Sequence, residues 1–337
     1  MSDAATLAAA IRQGDRRALA RGITLVESTS ERHRPAADAL LEALLPDSGG
    51  AVRVGLSGPP GVGKSTFIEA FGLYLIGKGH RVAVLAVDPS SQRTGGSILG
   101  DKTRMEQLSR HPDAFIRPSP AGRTLGGVAR RTREAMVLVE AAGFDVTLVE
   151  TVGVGQSETA VADLVDLFCL LLPPAGGDEL QGIKKGVVEL ADVAVVNKAD
   201  GGLKQAASRA AAEYQSALRM LRPAAAGWIP PVLQVSALEG RGFERVWTAM
   251  GDYRAALGAE GLTAKRARQA KAWFWRELQE GLVEAFRRAP AVAEALPRLE
   301  AEVAAGKITA ARAAETLLAL FRTHGPLPPA GEGASDK

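Results

Sequence analysis

The feature that most restricts what this chain can fold into is nine residues long. An apolar run, Val52 to Leu56, leads straight into Gly58-Pro59-Pro60-Gly61-Val62-Gly63-Lys64-Ser65-Thr66, and a helical stretch from Phe67 to Ile76 follows. This is the G-x-x-x-x-G-K-[ST] pattern in a strand–loop–helix setting. The residue types are those that holding phosphate requires. Glycines let backbone N–H groups curl around an anion without Cβ clashes, and the helix start adds partial positive charge. Lys64 is placed to bridge β- and γ-phosphate oxygens, and the Ser65 hydroxyl to ligate Mg²⁺. The alternative reading, a glycine turn with a solvated lysine, does not account for the strand before and the helix after.

The rest of the chain agrees with a parallel sheet covered on both faces. Apolar runs recur at Arg81 to Val87, Ala114 to Ile116, Asp145 to Val149, Leu167 to Leu172, Val193 to Val196 and Val232 to Val235, with helical stretches between them. Near-continuous apolar strands alternating with helices predict an α/β fold of the P-loop NTPase kind. Ahead of it, Leu19, Ile23 and Val26, then Leu40, Leu41, Leu44 and Leu45, fall in one-sided helical stripes. After Ser236 the strands stop. The expected plan is a helical N-terminal extension (1–48), a nucleotide-binding domain (49–256) and a helical C-terminal arm and tail (257–337).

Two later features address the base and the metal. Val193 to Val196 ends in Asn197-Lys198-Ala199-Asp200, the N-K-x-D pattern. A carboxylate at Asp200 can accept from guanine N1–H and the exocyclic amine, a donor pair that adenine lacks, which favours GTP over ATP. Asn197 would brace the loop, and the Lys198 stem would cover the base. Ser236-Ala237-Leu238 follows the next strand, where a backbone N–H can reach guanine O6. For Mg²⁺ the candidates are Ser65 with three acids on the strand-carboxyl rim, Asp88, Asp101 and Glu150. Glu150 and Asp101 are expected near the metal, with Asp88 acting through water or on the attacking water; each could instead cap a loop or helix. The Gly153 N–H could meet the γ-phosphate.

Composition narrows the class further. Lys and Arg total 41 against 38 Asp and Glu, a net charge of +3, which gives no argument for nucleic acid. One cysteine, Cys169, excludes an intrachain disulfide, and with four scattered histidines it disfavours a zinc or nickel cage. No apolar run approaches the ~20 residues of a spanning helix. The start of the chain does not read as a secretion signal. The expectation is a cytoplasmic protein without membrane partners.

Taken together, these motifs resemble the GTPases associated with methylmalonyl-CoA mutase, the MeaB/MMAA group once labelled ArgK, within the SIMIBI class of P-loop proteins. The resemblance is carried by Gly58 to Thr66, Val87 to Ser91, Gly95 to Met105, Arg117-Pro-Ser-Pro120, Leu125 to Val128, Glu150 to Glu158, Pro173 to Lys185 and Asn197 to Asp200. Leu262 to Arg266 and Trp273-Phe-Trp275 extend it into the arm, so it covers essentially the whole chain. Glutamate at 150, where Ras-like GTPases have aspartate, fits this class. The resemblance implies a homodimeric GTPase chaperone that gates adenosylcobalamin loading, protection and reactivation of an acyl-CoA mutase, most simply methylmalonyl-CoA mutase. It also implies that the stretch Asp178 to Lys185 acts as an additional switch. Lys184 and Lys185 could swing toward transition-state charge, or simply be solvated at the start of a helix. No cobalamin-binding signature is evident, so the corrinoid is expected on the partner.

Competing readings are a nickel-type metallochaperone GTPase, a small-molecule kinase on the same loop, and a nucleotide-gated binding module with negligible turnover. Trp273, Trp275, Leu278, Leu282 and Phe286 have helical spacing, but the two tryptophans cannot share one face, which favours a protein–protein contact on the arm, expected to be the dimer. Lys265, Arg266, Arg268 and Lys271 read as a solvated basic face.

Overall fold

The structure is a computed structural model that describes residues 3–87, 105–118, 125–151, 157–174, 185–220 and 227–323. By contact the chain falls into two compact units, Met1–Arg266 and Ala267–Lys337.

The first unit is built on seven parallel strands: β1 (Val52–Ser57), β2 (Val82–Val87), β3 (Ala114–Pro118), β4 (Val146–Thr151), β5 (Leu167–Leu172), β6 (Val193–Val196) and β7 (Val232–Gln234). Their order is β3-β2-β4-β1-β5-β6-β7. β1 therefore lies mid-sheet between β4 and β5, pairing Leu56 with Glu150 on one side and Ser57 with Leu170 on the other. Strand order switches direction beside β1, and ligands of such sheets bind outside the strand-carboxyl ends at that point. β4 and β5 are buried along their whole length, as expected of strands with helices on both faces.

Helices α1 (Asp3–Arg12), α2 (Arg16–Val26) and α3 (Arg34–Leu44) form the N-terminal layer and pack with α6 (Leu125–Ala141). α2 starts where Asp15 accepts from the Arg17 and Ala18 amides, an N-cap that satisfies otherwise orphaned donors. Its buried stripe is Leu19, Ile23 and Val26, as the spacing predicts. In α3 the stripe is narrower than expected: Leu40 and Leu44 are buried, but Leu45 is exposed. The helix gives way there to a 3₁₀ turn containing Pro46, which rotates Leu45 off the packed face.

α4 (Lys64–Gly77) leaves the glycine loop and buries Phe67, Ile68, Phe71 and Leu75. Phe67 and Phe71 meet Phe243 with ring centroids 5.4 and 5.7 Å apart. α5 (Glu106–Arg110) precedes β3, α7 (Ser157–Ala162) lies against β1, β4 and β5, and α8 (Lys185–Val188) precedes β6. α9 (Lys204–Met220) packs Ala207, Ala211, Tyr214 and Leu218 with the buried side chains of β5 and β6. α10 (Phe243–Arg288) is two helices joined at Gly258, whose φ of 70° and ψ of 169° break the helical path.

Near the end of the first unit, α10 corrects one expectation. Lys265 and Arg266 are not on a solvated face; their side chains are only 19% and 20% exposed. Arg266 holds the fully buried Asp166 through Nε at 2.7 Å and Nη2 at 2.6 Å, and donates to the carbonyls of Gly49 and Ala51. Lys265 donates to the Asp166 carbonyl and the Tyr253 hydroxyl, with Asp192 at 3.5 Å. Arg268 and Lys271 are exposed, as read.

The second unit contains the end of α10, α11 (Pro290–Ala304) and α12 (Ala310–Thr323). Val292, Leu299, Ala313 and Leu317 form its core, with Phe286 and Phe321 edge-to-face at 5.3 Å. Phe274, Trp275, Leu278, Leu282 and Val283 remain exposed on α10. Among the described residues, no helix is long and apolar enough to cross a membrane.

Candidate nucleotide site

The loop between β1 and α4 has a shape that side chains would obstruct. A Cβ at Gly58 would sit 2.5 Å from the Leu171 carbonyl oxygen. Gly63, the N-cap of α4, has φ 89°, and a Cβ there would come within 2.9 Å of the Asn197 amide nitrogen. The Lys64 ammonium arches back over the loop to the Gly58 and Pro59 carbonyls at 2.7 and 3.3 Å. Burial lowers its pKa from the ordinary lysine value, and the negative charges of Glu150 and Glu158 only partly oppose that. Val62 is buried beneath the loop, Ser65 is half-buried in the first turn of α4, and Pro60, Gly61 and Thr66 are exposed.

The N-K-x-D turn is joined to this loop directly. Asn197 is buried after β6; its Nδ2 donates to the Val62 carbonyl at 3.0 Å, and its Oδ1 accepts from the Ala237 amide at 3.3 Å. One side chain thus ties the phosphate loop, the turn after β6 and the turn after β7. Lys198 has φ 59°, and its ammonium reaches the Gly61 carbonyl at 2.6 Å. The Ser236 hydroxyl donates to Asp200 Oδ2 at 2.5 Å and accepts from the Glu239 amide, which fixes the half-buried carboxylate. Leu238 follows with its side chain exposed. Every expected residue of the loop and of the two base turns therefore converges on one rim of the sheet.

For a divalent cation the described rim offers the Ser65 hydroxyl and the Glu150 carboxylate. Glu150 lies within β4, which continues through it to Thr151, and is almost wholly buried. These are hard oxygen donors, and both Ser65 and Glu150 flank Lys64, through sequence and through charge respectively, so the donor set fits Mg²⁺. Among the described residues, no group of three or more His, Cys, Asp or Glu side chains could hold a metal by itself. Asp88, Asp101, Gly153 and Lys184 lie outside the described residues, as does the side chain of Lys185, the first residue of α8.

Two further features escaped sequence reasoning. Glu158, at the second position of α7, is buried and acts electrostatically on Lys64. Beneath the loop, the buried Thr151 hydroxyl donates to the buried Ser57 hydroxyl at 2.9 Å, linking the ends of β4 and β1. The available signal was slight: two small hydroxyl residues, each at the last position of its strand.

Comparison with known proteins agrees with this geometry. A profile of the family described as "Methylmalonyl Co-A mutase-associated GTPase MeaB" matches residues 19–291. A putative GTPase of Caulobacter vibrioides is 58% identical over 91% of this chain and 94% of its own. The mouse "Methylmalonic aciduria type A homolog, mitochondrial" is 52% identical over 93% of this chain and 78% of its own. Among solved structures, one titled as a LAO/AO transport system kinase superposes with a TM-score of 0.75 at 39% identity, covering 96% of this chain and 99% of that one. A glycine loop on the central strand, a base turn stapled to it and matches along nearly the whole chain lead to one assignment: this chain belongs to the MeaB family of methylmalonyl-CoA mutase-associated GTPases, enzymes that hydrolyse GTP to GDP and phosphate.

Proposed function

We propose that this GTPase is a nucleotide-timed chaperone for an adenosylcobalamin-dependent acyl-CoA mutase, in the first instance methylmalonyl-CoA mutase. It would gate loading of the intact cofactor and support removal of the damaged one, with the corrinoid held by the mutase and not by this chain. The family description and the names of the relatives support the link to the mutase. The observation that carries the nucleotide half is Asn197, which bonds the phosphate loop and the base turn at once.

In this reading the amides of residues 58–66 cradle the phosphates, Lys64 leaves the Gly58 and Pro59 carbonyls to bridge the β- and γ-oxygens, and Asp200, held by Ser236, selects guanine. Ala237 and Leu238 supply backbone toward guanine O6, and the Lys198 stem covers the base. Ser65 and Glu150 would hold Mg²⁺, with Asp101 near it and Asp88 on water; the ion would neutralise charge on the β- and γ-phosphates. Gly153 would meet the γ-phosphate, and Lys184 or Lys185 would approach the transition state when the partner is engaged. The exposed apolar strip Phe274, Trp275, Leu278, Leu282 and Val283 supports a protein contact on the arm, which we assign to a homodimer acting in the cytoplasm.

The test is turnover of GTP with and without purified methylmalonyl-CoA mutase, alongside transfer of adenosylcobalamin to the apo-mutase. Turnover that rises with the mutase, and transfer that depends on which nucleotide is bound, are expected. Turnover and transfer both indifferent to the other protein would remove the chaperone reading while leaving the GTPase intact.

A further inference from the structure

At the edge of the sheet, where two strands separate β3 from β1, the N-terminal helices border a cleft of about 830 Å³. Leu7, Ala20 and Leu25 give it an apolar lining. Its charge comes from three guanidinium groups, those of Arg21 on α2, Arg117 in β3 and Arg131 on α6, against the carboxylates of Asp3 and Glu27. Three cations against two anions leave the cleft positive, and His33 also lines it.

Glu27 is committed to one of those cations. It is 6% exposed and accepts from Arg117 Nε at 3.3 Å and from Arg117 Nη2, while Arg117 also reaches the Thr24 hydroxyl at 3.3 Å. Burial pushes the Glu27 carboxyl above its ordinary value, even with Arg117 and Arg131 opposing. The pair thus fixes the Arg117 fork at the strand-carboxyl end and leaves Arg21 and Arg131, against the single carboxylate of Asp3, as the remaining charges of the cleft. A cleft of this size near the carboxyl end of β3, lined mainly by polar and charged residues around a small apolar patch, has room for a small polar molecule. Arginine forks suit planar or tetrahedral oxyanions.

We propose that this cleft binds a small organic oxyanion, its phosphate or carboxylate held by Arg131 and Arg21, and its apolar part resting on Leu7 and Leu25. The cleft lies apart from the phosphate loop, since β2 and β4 stand between β3 and the strand that feeds the loop.

The experiment uses the full chain saturated with GDP and Mg²⁺, so that the phosphate loop is already filled. Thermal midpoints are measured with inorganic phosphate, glycerol 3-phosphate and succinate, each against potassium chloride at matched ionic strength. A midpoint that climbs with probe concentration, and no longer does so in Arg131→Ala, Arg21→Ala and Ala20→Glu, is expected. A response to the two phosphates alone assigns a phosphate ligand; a response to succinate alone assigns a carboxylate. No response to any probe overturns the proposal, as does a response of full size in Arg21→Ala and Ala20→Glu. Arg21 is exposed and Ala20 half-buried, so those two variants keep the test open should Arg131→Ala fail to fold.

Discussion

Replacing Arg266 with methionine tests the buried ion pair at the amino-terminal edge of the sheet. Asp166 has no exposed surface, and Arg266 supplies two hydrogen bonds to its carboxylate and two to the carbonyls of Gly49 and Ala51. Methionine keeps much of the stem and removes all four. What remains for the carboxylate is the Arg53 amide at 3.0 Å, since Lys265 bonds the Asp166 carbonyl instead. Removing one partner of a buried pair strands the other charge and costs about 3–5 kcal/mol, whereas an exposed pair is worth about 0–1 kcal/mol. The assay is urea unfolding followed by far-ultraviolet circular dichroism. With a slope of at least about 2 kcal/mol per molar urea, the midpoint should fall by roughly 1–2 M. GTP turnover below the transition should be unchanged, because the pair sits at the opposite end of the strands from the phosphate loop. A loss under about 1 kcal/mol would place Arg266 with ordinary surface arginines and refute the argument.

Gly58→Ala should destabilise the protein by about 1–3 kcal/mol and weaken GDP binding, because the new methyl meets a backbone oxygen that cannot swing aside; normal melting and binding would remove that account. Asp200→Ala should collapse the preference for GTP over ATP, for which a matched hydrogen-bond pair can supply roughly 10⁴-fold, and retained selectivity in competition binding would discard the base assignment. The pH dependence follows from Lys64. Burial holds its pKa low in the nucleotide-free protein, and phosphate charge raises it, so the bound state carries more of this proton wherever the free protein has begun to lose it. Calorimetry with GDP along an alkaline pH series, in two buffers of different ionisation enthalpy at each pH, should show net proton uptake that grows with pH, and affinity should fall as pH climbs through the lowered value; no uptake at any pH of the series would contradict it.

The parts of this molecule readable from its residues are those whose cause is local. Seven apolar runs marked the seven strands to within two residues at either end, because side chains buried on both sheet faces leave few polar positions, such as Arg53 and Thr147, to interrupt the pattern. The glycine loop and Asn197-Lys198-Ala199-Asp200 were equally plain, since each needs particular residue types at fixed spacing. Contacts that join distant segments were not legible. Lys265 and Arg266 look like an ordinary basic helix face until Asp166, a hundred positions earlier, is brought underneath them. Glu158 reads as one more acid at a helix start, and only the packing of α7 on β1 turns it toward Lys64. Leu45 failed for a smaller reason: the stripe was extended one residue past the point where Pro46 tightens the helix.

The Asn197 side chain has a consequence for how product leaves. Its carboxamide bonds the Val62 carbonyl and the Ala237 amide, so in the proposed binding mode the grips on the diphosphate and on the purine would not slacken separately. A protein pressing on the turn after β6 would loosen both ends of a bound GDP in a single displacement. In that binding mode an exchange stimulator for this GTPase would need no wedge into the pocket, only leverage on the turn that carries the exposed Lys198.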